Sequence, residues 1–282
     1  MINMASSWFK SSKIRDGLHL TNETYFFEGN RANIWLIKGP SKDVVIDTGL
    51  GVKDLKHHLE TSGLIERIGG ERECCVICTH NHFDHSGGAH HFEIAYIHEE
   101  DLPGLRDGQQ TETLNYVKPA HFYQQPYRGF SACHYKVPAT VCQPLRDGDR
   151  IDLGGGEHLE IIHVPGHTKG SIAVYYPSKK EIFTGDFVYE CGSGSNLFDW
   201  LPNSSVQKYV NTTYKMMDWL EEKEVATVYP GHFNILTQQR TLELLQEYVD
   251  AKDNTCSVCC GSCLQATTWM YFLLGCFRCC PC

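Results

Sequence analysis

The 282 residues carry a formal net charge of −9, with 41% apolar and 21% charged side chains. That balance fits a folded protein with a substantial core, and it argues against nucleic acid as the main partner, which selects a basic surface. Residues 1–13 hold no apolar run long enough for a secretory signal. In chain order, 32–39 and 43–47 read as two strands paired around the turn Gly39-Pro40-Ser41. A helix over 52–60 follows Gly49-Leu50-Gly51. The apolar run from Cys74 to Cys78 reads as a buried strand, and 93–98 as another. Residues 99–157 form a long connection that holds Tyr116, His121, Phe122, Tyr123, Tyr127, Phe130, His134 and Tyr135. A connection of that length is expected to act as a binding lid, the alternative being aromatics that pack a loop onto the core. Strands follow over 159–164, 171–176 and 181–183, and 196–202 is a candidate apolar wall. Val206, Tyr209, Val210, Thr213, Met217 and Leu220 share one helical face, and Leu242, Leu245 and Val249 mark a last helix. Periodicity alone gives a mixed α and β protein.

The chemistry concentrates directly after the Cys74–Cys78 run. Residues 80–85 read His-Asn-His-Phe-Asp-His, followed by Ser86-Gly87-Gly88. His80 and His82 can reach one ion, and Asp84 and His85 a second. Imidazole nitrogen with carboxylate oxygen is a donor set for zinc, although iron and manganese accept it too. Further donors stand beside a glycine after later apolar runs: Gly166-His167, Gly185-Asp186 and Gly231-His232. Seven donors on four loops outweigh the plain reading of a histidine-rich polar loop. Cys74 and Cys78 are better read as core packing than as ligands, because a free cysteine behaves as a small hydrophobe. Ser86 is read as loop structure, not as a nucleophile.

This order, H-x-H-x-D-H and then a lone His, a lone Asp and a last His, resembles the metallo-β-lactamase superfamily. Val44-Val45-Ile46-Asp47-Thr48-Gly49 resembles its strand-ending Asp motif. The resemblance implies an α/β, four-layer αββα sandwich. It also implies two zinc ions, one held by His80, His82 and His167 and one by Asp84, His85 and His232, with Asp186 bridging. A water shared by two such ions becomes a nucleophile near neutral pH, and Asp84 is the catalytic residue that orients it.

Cysteine use divides the chain into 1–252, the hydrolase domain, and 253–282, a cysteine-rich tail. Six cysteines precede Cys256, and eight crowd the last 27 residues around Trp269-Met270-Tyr271-Phe272-Leu273-Leu274. That apolar stretch is too short to span a bilayer. Cysteines beside an apolar segment suit S-palmitoylation, with Cys256, Cys259 and Cys260 as leading sites. The spacing Cys256-x2-Cys259 and Cys276-x2-Cys279 leaves a structural zinc open, and an irregular tail is the third reading.

With such a tail, the chain resembles the superfamily's acyl-CoA thioesterases. The implied activity is hydrolysis of long-chain acyl-CoA, such as palmitoyl-CoA, at the cytoplasmic face of the endoplasmic reticulum or plasma membrane. A hydroxyacylglutathione or lactone hydrolase acting on small soluble substrates is the alternative. Lys118, Arg128, Lys136 and Lys169 are candidates for the nucleotide phosphates. The triplets at Asn22, Asn203 and Asn211 are read as unmodified.

Overall fold

A computed structural model describes residues 7–66, 70, 72–192, 197 and 199–258, with the backbone alone described for 253–258. Twelve strands in the described residues form two sheets. The first sheet takes its strands in chain order: β1 (Phe9–Arg15), β2 (Leu18–Glu23), β3 (Ile34–Lys38), β4 (Lys42–Ile46), β5 (Glu73–Ile77), β6 (Ala95–His98) and β7 (Gln143–Leu145). Pairing is antiparallel from β1 to β4 and parallel from β4 to β7. The second sheet runs β12-β11-β10-β9-β8, from β8 (Arg150–Gly154), β9 (Glu157–His163), β10 (Ile172–Tyr176), β11 (Glu181–Gly185) and β12 (Thr227–Pro230). Only β11 and β12 are parallel in it.

Each sheet is apolar on both faces, so each must be covered twice. Trp35, Ile37, Val44 and Ile77 of the first sheet meet Ile161, Val174, Phe183 and Tyr229 of the second. The outer face of the first sheet lies under α1 (Leu55–Thr61) and part of the long connection. The outer face of the second lies under the helices Val206–Glu222 and Gln238–Val258. The result is the expected αββα sandwich.

Local chemistry sets the boundaries. Asp54 accepts the His57 amide and caps α1, so that helix starts later than expected from the glycines before it. Ser205 caps the helix Val206–Glu222 in the same way, through the Lys208 amide. Its buried face is Tyr209, Thr212, Thr213, Met216 and Leu220; Val206, expected inside, is 44% exposed in the first turn. The final helix continues to Val258, so Cys256 stands on it and not after it. Cys259 and Cys260 lie outside the described residues.

The stretch 99–157 is not one loop. Its end supplies β7 and β8, and β8 alternates exposed Arg150 and Asp152 with buried Ile151 and Leu153. The remainder, up to Cys142, packs beside the first sheet with its aromatics divided. Phe122 and Phe130 meet edge to face with ring centroids 4.7 Å apart and pack on the core beside Phe26. Tyr116, Tyr123 and Tyr127 are exposed. The Tyr123 amide donates to the Tyr25 carbonyl, and the Phe27 amide to that of His121, which ties the segment down.

Behind the histidine loop, two chain segments touch through backbone alone. A Cβ on Gly51 would sit 2.1 Å from the Gly87 carbonyl oxygen. Gly51 also has φ +70°, and Gly63 a matching φ +69° with open space around it. Gly63→Ala is therefore expected to cost about 1–2 kcal/mol, the left-handed penalty alone. Gly51→Ala should cost clearly more and should weaken metal uptake. Chemical denaturation with metal titration of both variants checks this, and equal losses would count against the close contact.

Candidate metal centre

Four loops at strand ends bring the donors to one rim of the sandwich. His80, His82, Asp84 and His85 follow β5, His167 lies between β9 and β10, Asp186 follows β11, and His232 follows β12. The Ile172 amide donates to the Thr79 carbonyl at 2.9 Å and joins the two sheets there. All seven side chains are buried. They form three groups whose donor atoms lie within 4.8 Å of one another: His80, His82 and His167; His80, His85 and Asp186; and Asp84, His85 and His232. Asp186 stands between the outer two groups. Its Oδ1 lies 3.2 Å from His85 Nε2 and 3.4 Å from His232 Nε2, while its Oδ2 lies 3.5 Å from His167 Nε2. A Cβ at Gly231 would come within 2.5 Å of Asp186 Oδ1, so glycine is what lets this strand end approach.

The outward hydrogen bonds assign which nitrogen of each ring faces in. His85 Nδ1 donates to Asp47 Oδ2 at 2.8 Å, and His232 Nδ1 to the Arg31 carbonyl at 3.1 Å. His80 Nδ1 donates to Thr79 Oγ1 at 3.0 Å, and that hydroxyl donates onward to Asp47 Oδ2. His82 is turned round: its Nε2 faces Asn203 Oδ1 at 3.4 Å, and its Nδ1 points inward. Lone pairs thus converge. His85 Nε2 and His232 Nε2 are 3.1 Å apart, and His82 Nδ1 and His167 Nε2 are 3.0 Å apart. His80 Nε2 is buried with no hydrogen-bond partner. Facing lone pairs need positive charge between them. The donor set and its geometry fit metal cations.

Electrostatics agree with that division. Burial, then the neighbouring imidazoles, holds His80 well below the usual histidine range and takes His82 down to about 3. Burial also opposes the charged form of His232, but Asp186 and Asp84 overcome it and lift the ring to about 9. His85 is raised for the same reason, by Asp186, Asp84 and Asp47. Asp186 is held well below the usual carboxylate range by His232 and His85 against its burial. The Asp84–Asp186 side of the rim therefore attracts cations, and the His80–His82 side keeps neutral, ligating imidazoles.

Residues 28–232 match the family model described as the metallo-β-lactamase superfamily. The chain belongs to the metallo-β-lactamase superfamily. Among curated relatives, it is 36% identical over 253 residues to the acyl-coenzyme A thioesterase MBLAC2 of Bos taurus, covering 87% of this chain and 88% of that protein. It is 30% identical over 171 residues to a hydroxyacylglutathione hydrolase of Aeromonas hydrophila, covering 60% of this chain and 51% of that one. Among solved structures, a metallo-β-lactamase family protein of Thermus thermophilus superposes with a TM-score of 0.65 at 19% identity, over 93% of this chain and 88% of that one.

Several working residues of this superfamily member had little or no signal in the sequence. Thr79, Asn203 and the Arg31 carbonyl orient rings; Asp47, which the strand-ending motif does mark, holds His85 directly and His80 through Thr79. Cys75 and Cys78 are fully buried in or beside β5, where burial raises both thiols, Cys75 to about 12. Cys78 is a core residue, as expected, and Cys75 is one too, while Cys74 is only partly buried and packs against the core from the start of β5. Of the four cationic candidates, Lys169 lines a cavity next to His167, and Lys136 lines a separate one with Tyr127, Phe130 and Tyr135.

Glu23 was also unforeseen. Its buried carboxyl accepts Trp8 Nε1–H at 2.9 Å and the Leu50 amide at 3.0 Å, bracing the segment behind the histidine loop. Burial outweighs these bonds and raises its pKa to about 7. A raised folded-state value means stability that is fully present below the unfolded value near 4.5 and is lost as pH rises through 7. A shift of that size corresponds to roughly 3 kcal/mol. The stability of wild type minus that of Glu23→Gln should therefore fall by about that much between pH 4.5 and 8. Urea unfolding across that range checks it, and a flat difference would refute the shift.

Proposed function

We propose that this chain is a dinuclear zinc hydrolase that cleaves the thioester of long-chain acyl-CoA to fatty acid and CoA. The observation that carries the hydrolase reading is Asp186, with one oxygen toward His85 and His232 and the other toward His167. The substrate class is supported by the thioesterase relative, matched over most of both chains. The hydroxyacylglutathione hydrolase shares only about half of its own length with this chain, which makes it the weaker guide.

In this reading His80, His82 and His167 would hold one ion and Asp84, His85 and His232 the other, with Asp186 as a ligand available to each. When bound, the ions lower the pKa of a water toward neutrality and polarise a carbonyl. The chain's residues do the rest. The Asp84 carboxylate is 9% exposed and lies 3.4 Å from His232 Nε2, at the open side of the centre. It accepts a hydrogen bond from the attacking oxygen and turns the oxygen lone pair toward the substrate carbon. A thiol of pKa about 8.5 leaves as thiolate with little help from an acid. Ser86 takes no part, because its hydroxyl donates to the Asn81 and His82 carbonyls. A cavity of about 400 Å³ behind the histidine loop, lined by Leu50, Val52, Tyr127, Phe130, Tyr135 and Lys136 among others, offers aromatic surface to an acyl chain.

Thiol release from acyl-CoA esters of rising chain length is expected to be chelator-sensitive and to increase with length. Asp84→Ala should lose roughly 100-fold or more while remaining folded. A fully active, metal-loaded Asp84→Ala protein would sink the mechanism, and indifference to chain length would move the assignment to small soluble substrates. No helix among the described residues is long and apolar enough to cross a membrane. In the same reading, lipid on Cys256, Cys259 and Cys260 holds the enzyme at the cytoplasmic face of a membrane, supported by the tail's composition. Hydroxylamine-sensitive palmitate labelling should disappear when these three become serine; labelling that persists unchanged would place the lipid elsewhere.

A further inference from the structure

Beside the centre lies a second cavity, of about 310 Å³. Its wall includes Asn203, Ser204, Ser205, Lys169 and Lys208, with Glu112 as its acidic member. It is contiguous with the histidines. Asn203 faces His82 Nε2, and the Ser204 hydroxyl donates to the His167 carbonyl at 2.7 Å. Neither Lys169 nor Lys208 forms an ion pair among the described residues, and both are exposed, whereas most other lysines there are paired with a carboxylate. Two uncommitted ammonium groups against one carboxylate leave the cavity with surplus positive charge in a protein of net charge −9.

A thioester fixed at the centre sends two unlike arms outward, one hydrocarbon and one polar. The cavity lined by Asn203, Ser204, Ser205 and two lysines, which adjoins the centre at His82 and His167, suits the polar arm. Resting on the thioesterase reading, we propose that Lys169 and Lys208 bind the phosphates of the CoA leaving group. Lys169 stands two residues beyond His167, at most about 7.6 Å along the backbone. Its flexible four-carbon stem gives the ammonium further reach. Both lysines are therefore specificity residues that act on binding, with no part in the bond-breaking step.

The test uses the full-length, metal-loaded protein and two thioesters with the same acyl chain. One is the CoA ester, and the other is the pantetheine ester, which lacks the phosphates. The double variant Lys169→Ala/Lys208→Ala should raise KM for acyl-CoA roughly tenfold, with kcat and acyl-pantetheine turnover unchanged. Desulfo-CoA, which cannot react, should bind the variant roughly tenfold more weakly by calorimetry, with a loss that shrinks at high salt. Equal impairment of both esters, or unchanged desulfo-CoA affinity, overturns the assignment. Impaired turnover of acylglutathione with acyl-CoA untouched overturns it too, in favour of a peptide carboxylate. Wild type that hydrolyses neither CoA nor pantetheine ester would instead defeat the thioesterase reading, and desulfo-CoA binding would still judge the lysines.

Discussion

The rim is organised by one buried carboxylate. Asp47 is 1% exposed and accepts three hydrogen bonds: the Thr79 amide at 2.7 Å, the Thr79 hydroxyl at 2.9 Å and His85 Nδ1 at 2.8 Å. Through Thr79 it also fixes His80. One anion thus chooses the tautomer of two rings that belong to different histidine groups. Its backbone stands at φ +61°, a left-handed conformation that an aspartate tolerates better than most residues but that still costs energy. The surrounding bonds hold it there. Were Asp47 neutral or displaced, His85 and His80 would be free to turn their other nitrogens inward.

Asp47 can do this because the sheets deliver it. Strands β4 and β5 are parallel and adjacent, so their carboxyl ends lie side by side, one leading into Asp47 and the other into Thr79. Strands β11 and β12 repeat the arrangement in the second sheet and lead into Asp186 and His232. The inter-sheet core of Trp35, Phe183 and Tyr229 fixes the distance between these pairs; Trp35 Nε1 also donates to the Pro230 carbonyl beside His232. Packing between the sheets is therefore what brings the second group of ligand-type side chains up to the first. From behind, Leu50 is held by both of its backbone groups, its amide on Glu23 and its carbonyl on the Tyr135 hydroxyl at 2.7 Å.

All seven converging donors were legible in the sequence, because each is a ligand type placed near a strand end, most of them next to a glycine or close before one. The strands behind them were legible for the same reason, as apolar runs bounded by turn residues. What could not be read is of three kinds. The groups that orient the rings include a backbone carbonyl, at Arg31, and ordinary polar side chains, Thr79 and Asn203, that look like any loop residue. The edge strand β1 carries Lys10, Ser11, Ser12 and Lys13, where exposure to solvent hides the pattern. In contrast, β8 carries a period-two signal in Ile151 and Leu153, which the length of the connection before it masks. Glu23 illustrates the third kind: nothing in its neighbours along the chain announces a buried acid, since its partners Trp8 and Leu50 are distant in sequence.

The connection before β7 draws its importance from what it separates. On one side, Phe122 and Phe130 anchor it to the core, and Tyr135 reaches the Leu50 and Phe83 carbonyls under the histidine loop. On the other, Asn203 Nδ2 donates to its Glu112 carbonyl while Asn203 Oδ1 faces His82. Asn203 therefore couples three things: an imidazole of the centre, the end of the connection nearest it, and the loop that enters the long helix from Val206. A segment pinned at both ends in this way has little freedom to swing as a whole. It thus stands as a fixed wall between two cavities, one lined by Tyr127, Phe130 and Lys136 and the other by Glu112, Lys169 and Lys208.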